Sequence, residues 1–316
     1  MSALAFAVLA VVLAGPVPAL LARAAWPLRA PRAAIVLWQS IAIAAALSAF
    51  SAGIAIASRL LVPGPDGRPT TSVLAAEHRL GWLLWAIDIA VFVLTVIIGV
   101  RLLSAITRVA VGTRQRRAHH RKLLDLVSVY HPETRIEPSG NIRALRVLDI
   151  AEPLAYCLPG VRSRVVVSEG ALNTLDADEI SAILAHERAH IRARHDLVLE
   201  AFTAVHQAFP RVVRSANALG SVQLLVELLA DDAAVRSVGP TPLARALVAC
   251  ASTGVPAGAM AVGGRSTVVR VCRLSERSHS RTLSAAVYLT AAAVLVIPTV
   301  ALAVPWLTEL HRLLSR

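Results

Sequence analysis

Four runs in this 316-residue chain are apolar for long enough to cross a bilayer, which takes about 20 residues of α-helix. They fall at about 2–22, 33–58, 81–104 and 282–308. A chain carrying four such runs cannot bury them all in a water-soluble globule of this size, so they dictate a multi-pass membrane protein. Composition agrees: 56% of residues are hydrophobic, 16% are charged and the mean hydropathy is +0.64. The first run ends at Ala22-Arg23-Ala24, which resembles a cleavage site. No basic segment precedes it, so an uncleaved span bent near Pro16 and Pro18 is expected.

The net charge of +12 would suit a nucleic-acid binder. The arginines instead cluster at the ends of the apolar runs, so no direct nucleic-acid contact is expected and the lipid bilayer is the implied partner. Arg23, Arg29 and Arg32 fill the first link without an acid, whereas the second link mixes Arg59, Arg68 and Arg79 with Asp66 and Glu77. Strongly basic sequence follows the third run, from Arg101 through Lys122. By the positive-inside rule the N-terminus is external, the region between runs three and four is cytoplasmic, and a short tail from Glu309 is external. The chain thus divides into three spans in 1–104, a cytoplasmic domain in 105–281, and a fourth span with its tail in 282–316.

Within the cytoplasmic region lies His186-Glu187-Arg188-Ala189-His190, an H-E-x-x-H motif in a segment of helical periodicity. Four residues of α-helix bring His186 and His190 onto one face, close enough to share a metal ion. Two neutral imidazoles suit Zn²⁺, whose catalytic sites keep one position open for water, and Glu187 stands beside it as general base. The helix has a clear start, with Asp176 and Glu179 spaced as a capping box.

A third ligand must come from elsewhere. Zincins that use glutamate take it from E-x-x-x-D on a second helix, and Glu227 and Asp231 fit that spacing on a helical stretch with Val222, Leu225, Val226, Leu229 and Ala233 as its apolar side. Asp231 would then orient a metal-bound histidine. The alternative, H-E-x-x-H-x-x-G-x-x-H, would place its glycine at Ala193 and its ligand at Asp196. Alanine does not readily supply that turn, so Glu227 is preferred. The residue that stabilises the oxyanion is left among His195, His206, Tyr156 and Arg236.

Other stretches carry weaker signals. Asp88 inside the third run is costly unless it faces protein or water. The run from Arg114 to Lys122 suits anionic headgroups, or the solvated end of a long helix. Strand-like segments at 142–150 and 164–168 precede the motif helix, where an edge strand commonly pairs with extended substrate. Gly220 marks a break ahead of the Glu227 helix, and 253–266 reads as a loop. Cys157, Cys250 and Cys272 form no disulfide framework and read as small buried residues.

These features together resemble the BlaR/MecR-type membrane zinc metallopeptidases, in a short, actinobacterial, mycobacteria-like form. The four spans, HERAH between the third and fourth, Glu227-Leu228-Leu229-Ala230-Asp231-Asp232-Ala233, and Leu158-Pro159-Gly160 before Val165-Val166-Val167-Ser168 carry the likeness. The resemblance implies a mainly α membrane protein whose cytoplasmic α+β zincin-like domain, of the gluzincin type, holds one Zn²⁺ per chain. It implies a site of His186, Glu187, His190 and Glu227, and a cytoplasmic protein substrate, a BlaI-like transcriptional repressor, cleaved in response to a signal such as an antibiotic. The penicillin-binding domain of the best-known members is not expected beyond Arg316. The competing readings are a quality-control protease of the HtpX or CAAX-protease type and a non-catalytic membrane scaffold. An intact Glu187 argues against the scaffold.

Overall fold

The computed structural model describes residues 2–57, 62–63, 69–70, 81–127, 145–160, 163–210, 215–251, 265–276 and 280–314. Helices dominate. The first apolar run forms α1 (Ser2–Ala14) and α2 (Pro16–Leu21), broken at Gly15, since the prolines that follow cannot donate to the preceding turn. The second run forms α3 (Pro31–Ala57), followed by a two-residue ladder of β1 (Val62–Pro63) with β2 (Pro69–Thr70). The third run continues without interruption through the basic stretch as α4 (Trp82–Val127), a single helix of 46 residues. The run from Arg114 to Lys122 is thus the end of a long helix. The fourth run is α11 (Arg281–Leu314). Among the described residues four helical stretches, the first made of α1 and α2, are therefore long and apolar enough to cross a membrane.

Asp88 on α4 is buried, with only 3% of its surface exposed, so it faces protein rather than reaching surface water. The central helix of the membrane region is α3. It packs against α1, α4 and α11, and at its first turns also against the helix that carries Glu227.

Between α4 and α11 sits a small α+β unit. Strands β3 (Leu145–Leu148), β4 (Ala155–Leu158) and β5 (Arg164–Ser168) form a sheet ordered β3-β5-β4, with β3 parallel and β4 antiparallel to β5. The strand nearest the motif in sequence is thus the middle one, and β4, which lies in a segment without a strand pattern, is an edge. Helices α5 (Glu169–Thr174), α6 (Ala177–Arg192), α7 (His195–Ala208), α8 (Ser215–Val238), α9 (Pro240–Ala251) and α10 (Arg265–Ser275) follow. Two expectations change here. Helix α8 runs straight through Gly220, because one glycine costs a helix interior only about 1 kcal/mol. Most of the expected loop at 253–266 lies outside the described residues, and its end belongs to α10.

Helix α8 is apolar on more than one side. Val222, Leu225, Val226 and Leu228 are buried in a cluster with Trp38, Ile41 and Ala44 of α3. On another side Ala234 packs with Ala182 of α6 and Leu243 of α9. A second core joins Val165 and Val167 of β5 to Ile183 and Leu184 of α6 and Ala246 of α9.

The junction of β5 and α5 is fixed by Ser168. Its hydroxyl accepts from the Ala171 and Leu154 amides at 3.0 and 2.8 Å and donates to the Glu152 carbonyl at 2.6 Å. Gly170 lies so close to this seam that an added Cβ would fall 1.9 Å from the Ala151 carbonyl oxygen. Gly170→Ala is expected to force the seam open and to cost about 1–3 kcal/mol, read as a lower melting temperature of the purified protein; an unchanged melting temperature would contradict this packing.

Candidate metal centre

Asp176 caps α6 as its spacing suggests: its carboxylate accepts from the Glu179 amide at 2.8 Å, and the Glu179 carboxylate accepts from the Asp176 amide at 3.1 Å. The helix so fixed directs His186 and His190 to the same side, both buried at 6% exposure. Glu227, 7% exposed, comes to them from α8. Among the described residues these three form a group whose candidate ligand atoms all lie within 4.8 Å of one another.

The separations have a recognisable scale. His186 Nε2 is 3.1 Å from His190 Nε2 and 3.4 Å from Glu227 Oε2, and His190 Nε2 is 3.5 Å from Glu227 Oε1. A tetrahedral ion with ligands at about 2.0–2.1 Å has ligand–ligand edges of about 3.3–3.4 Å. The three donors fit such an ion with little movement.

Each imidazole is also held from behind. His186 Nδ1 faces Asp231 Oδ1 at 3.0 Å, close enough for an ion pair though off the line of an ideal hydrogen bond. His190 Nδ1 lies 3.2 Å from His195 Nδ1. With Nε2 turned inward to accept a metal, the Nδ1–H of each ring is the group that remains to donate, to Asp231 in one case and to His195 in the other. His195 reaches this place because the chain turns sharply after α6, with Arg194 in the left-handed region at φ 49°. The turn expected of a glycine at Ala193 is thus made one residue later, by arginine.

Asp196 does not join the site. Its carboxylate accepts from Arg117 of α4 at 3.0 Å, and Arg117 also pairs with Glu200 at 2.8 Å. Of the oxyanion candidates, Tyr156 is hydrogen-bonded to His120 at 2.9 Å, with burial pushing its hydroxyl up to about 12. His195 stands behind His190, and Arg236 is exposed on α8.

Two residues near the site escape a reading of the sequence. Cys157 of β4 lies beside Glu187, close enough for thiol and carboxyl to shift each other's protonation, a proximity no spacing rule would indicate. Cys250 is likewise partly buried, but Cys272 is exposed, which corrects its reading as a buried residue. The second is Arg270 of α10, 8% exposed, which donates to Asp231 and pairs with Glu227. Its segment carries no motif and lies 39 residues beyond Asp231, so only the fold brings it in.

Charge is distributed unevenly among these groups. Burial opposes a charged His186, but Asp231 and Glu227 outweigh it and raise its pKa to about 10. Burial, then the positive His186, depress His190 to about 3. Glu227 falls to about 2, because His186 and Arg270 overcome the cost of burying it. Burial raises Glu187 above the usual carboxylate range against the pull of His186 and Cys157.

A family model described as BlaR1 peptidase M56 matches residues 9–209, almost two thirds of the chain. The match runs from within α1 to the end of α7, includes the motif, and ends before Glu227. No curated protein and no solved structure matches the chain.

Protonation sets how this group of donors would take up a metal. With His186 raised to about 10 and His190 and Glu227 depressed, the metal-free triad carries one proton that a ligand must lose. Metal uptake is expected to release about one proton per ion between about pH 6 and pH 9, so affinity rises about tenfold per pH unit. Calorimetry in buffers of different ionisation enthalpy counts that proton, and uptake indifferent to pH would contradict the assigned charges.

Proposed function

Taking as premise that the chain belongs to the BlaR1 peptidase M56 family and is a membrane metallopeptidase, we propose that it is a zinc endopeptidase with a cytoplasmic site that cuts a regulatory protein. The reading is carried by one observation: three donors of zinc-binding type stand at tetrahedral spacing, with the Glu187 carboxyl one residue from a ligand. His186, His190 and Glu227 are the ligands in this reading, and Asp231 and His195 orient the two imidazoles.

Zinc held there supplies a Lewis acid that acidifies water and polarises a carbonyl. Glu187 takes the proton from the attacking water and returns it to the leaving amine. Its raised pKa keeps it a competent acid for that second transfer. Strand β4 pairs only with β5 among the described residues, and it packs against α6. Its outer edge therefore offers unpaired backbone groups beside the site, to which an extended peptide adds as a further strand.

The cytoplasmic placement rests on the arginine asymmetry across the four apolar helices. Reporter fusions after residue 140 and after Arg316 are expected to read inside and outside respectively, and the reverse would remove cytoplasmic proteins as substrates. The choice of a BlaI-like transcriptional repressor, released from DNA by cleavage, rests on family resemblance.

Glu187→Gln should retain one zinc ion and lose cleavage by about 10²–10⁴-fold or more, since only the base is removed. Zinc analysis of the variant and of the double variant His186→Ala, Glu227→Ala tests the ligands, because metal retained in the double variant would sink the assignment. Comparing the proteins of cells that carry wild-type or Glu187→Gln enzyme, with and without cell-wall stress, tests the substrate. One repressor stabilised in the variant supports the proposal; general accumulation of damaged membrane proteins would instead favour quality control.

A further inference from the structure

We propose that Arg270 is a positioning residue of the metal site, which sets Glu227 and Asp231 together and thereby orients His186. The inference rests on the ligand assignment above. Arg270 Nε donates to Asp231 Oδ2 at 2.8 Å and Nη2 to Asp231 Oδ1 at 2.7 Å, a two-pronged contact along one edge of the guanidinium. Nη1 meets Glu227 Oε2 at 3.0 Å. One rigid plane thus holds both carboxylates, and neither is left to swing about its terminal torsion.

The guanidinium holds the same oxygens that face His186. Asp231 Oδ1, gripped by Nη2, is the atom that faces His186 Nδ1 at 3.0 Å. Glu227 Oε2 is engaged by Arg270 and lies 3.4 Å from His186 Nε2, while Oε1 is directed at His190 Nε2. Two acids one helical turn apart, both buried, would otherwise repel each other and turn away. A lysine could supply the charge but not a fork that reaches both.

Arg270 is itself anchored by contacts outside the site. One turn further along α10, Arg273 donates to both oxygens of Asp232, at 2.8 and 3.0 Å, and to the Leu28 carbonyl at 2.6 Å. Leu274 is buried with Ala182 of α6 and Ala234 of α8. The guanidinium is therefore presented by a helix that is also held by contacts away from the ligands.

The test uses the full chain in nanodiscs, with Zn²⁺ affinity measured by chelator competition and the Co²⁺ absorption spectrum read as a report on coordination geometry. Arg270→Gln is expected to weaken Zn²⁺ binding about 10–100-fold and to weaken and shift the tetrahedral Co²⁺ bands. Arg270→Lys should recover only part of the loss, and Arg273→Gln, which loosens the helix but keeps the guanidinium, should lose clearly less than Arg270→Gln. In an Asp231→Asn background, Arg270→Gln should cost less than it does alone, because the contact with Asp231 is already damaged and only the one with Glu227 is left to lose. Should Arg270→Gln fail to fold, a loss of affinity in Arg270→Lys supports the proposal and wild-type affinity in it overturns it. Unchanged or tighter binding in Arg270→Gln, full recovery by lysine, additive losses with Asp231→Asn, or an equal loss in Arg273→Gln would each overturn it. A wild-type chain that binds no Zn²⁺ would instead overturn the ligand assignment itself.

Discussion

Two carboxylates one turn apart on α8, Glu227 at 7% and Asp231 at 0% exposure, are the constraint that the rest of the site answers. Water is nearly absent there, and a buried anion is stable only when hydrogen-bonded to positive partners. The positive partners come from different elements: His186 from α6 and Arg270 from α10. The mutual placement of these helices is thus a matter of charge neutralisation as much as of apolar packing. Small residues make it feasible, because Ala182 on α6 and Ala234 on α8, both fully buried, let those helices approach closely enough for short side chains to meet.

The same helix that presents Glu227 also belongs to the membrane region. Val222, Leu225, Val226 and Leu228 share a core with Trp38, Ile41 and Ala44 near the start of α3. A second connection runs through Arg273, which links Asp232, next to Asp231, to the backbone at Leu28 between the first and second apolar runs. The site is therefore built against the apolar helices rather than hung from them by a linker.

What the sequence disclosed and what it withheld separate along physical lines. The apolar runs, the capping box at Asp176 and the i, i+4 histidines were legible because each is a local pattern tied to helix geometry. The pairing of α6 with α8 was legible through one spacing rule, E-x-x-x-D. The continuity of α8 through Gly220 was not, because packing on two sides outweighs a weak local preference. Strand β4 was hidden for a similar reason: four residues alongside β5 gain their conformation from a neighbour. Arg270, Cys157 and the placing of His195 behind His190 were out of reach, since each depends on where a separate element ends up in space.

The continuity of α4 has a mechanical corollary. At 1.5 Å per residue its 46 residues make a rod of about 69 Å, more than twice the roughly 30 Å of a hydrocarbon core. No break separates the apolar part from the part where Arg101 donates to the Ala208 carbonyl and Arg117 grips Asp196 and Glu200, so both ends of α7 are clamped to one stiff lever. From Arg101 to Arg117 is about 24 Å along the axis, and a tilt of about 10° about the first would carry the second sideways by about 4 Å. Spans tilt to match the thickness of the bilayer around them. A tilt of α4 of the kind that fits a span to its bilayer would thus act on both ends of the helix that begins at His195 at once.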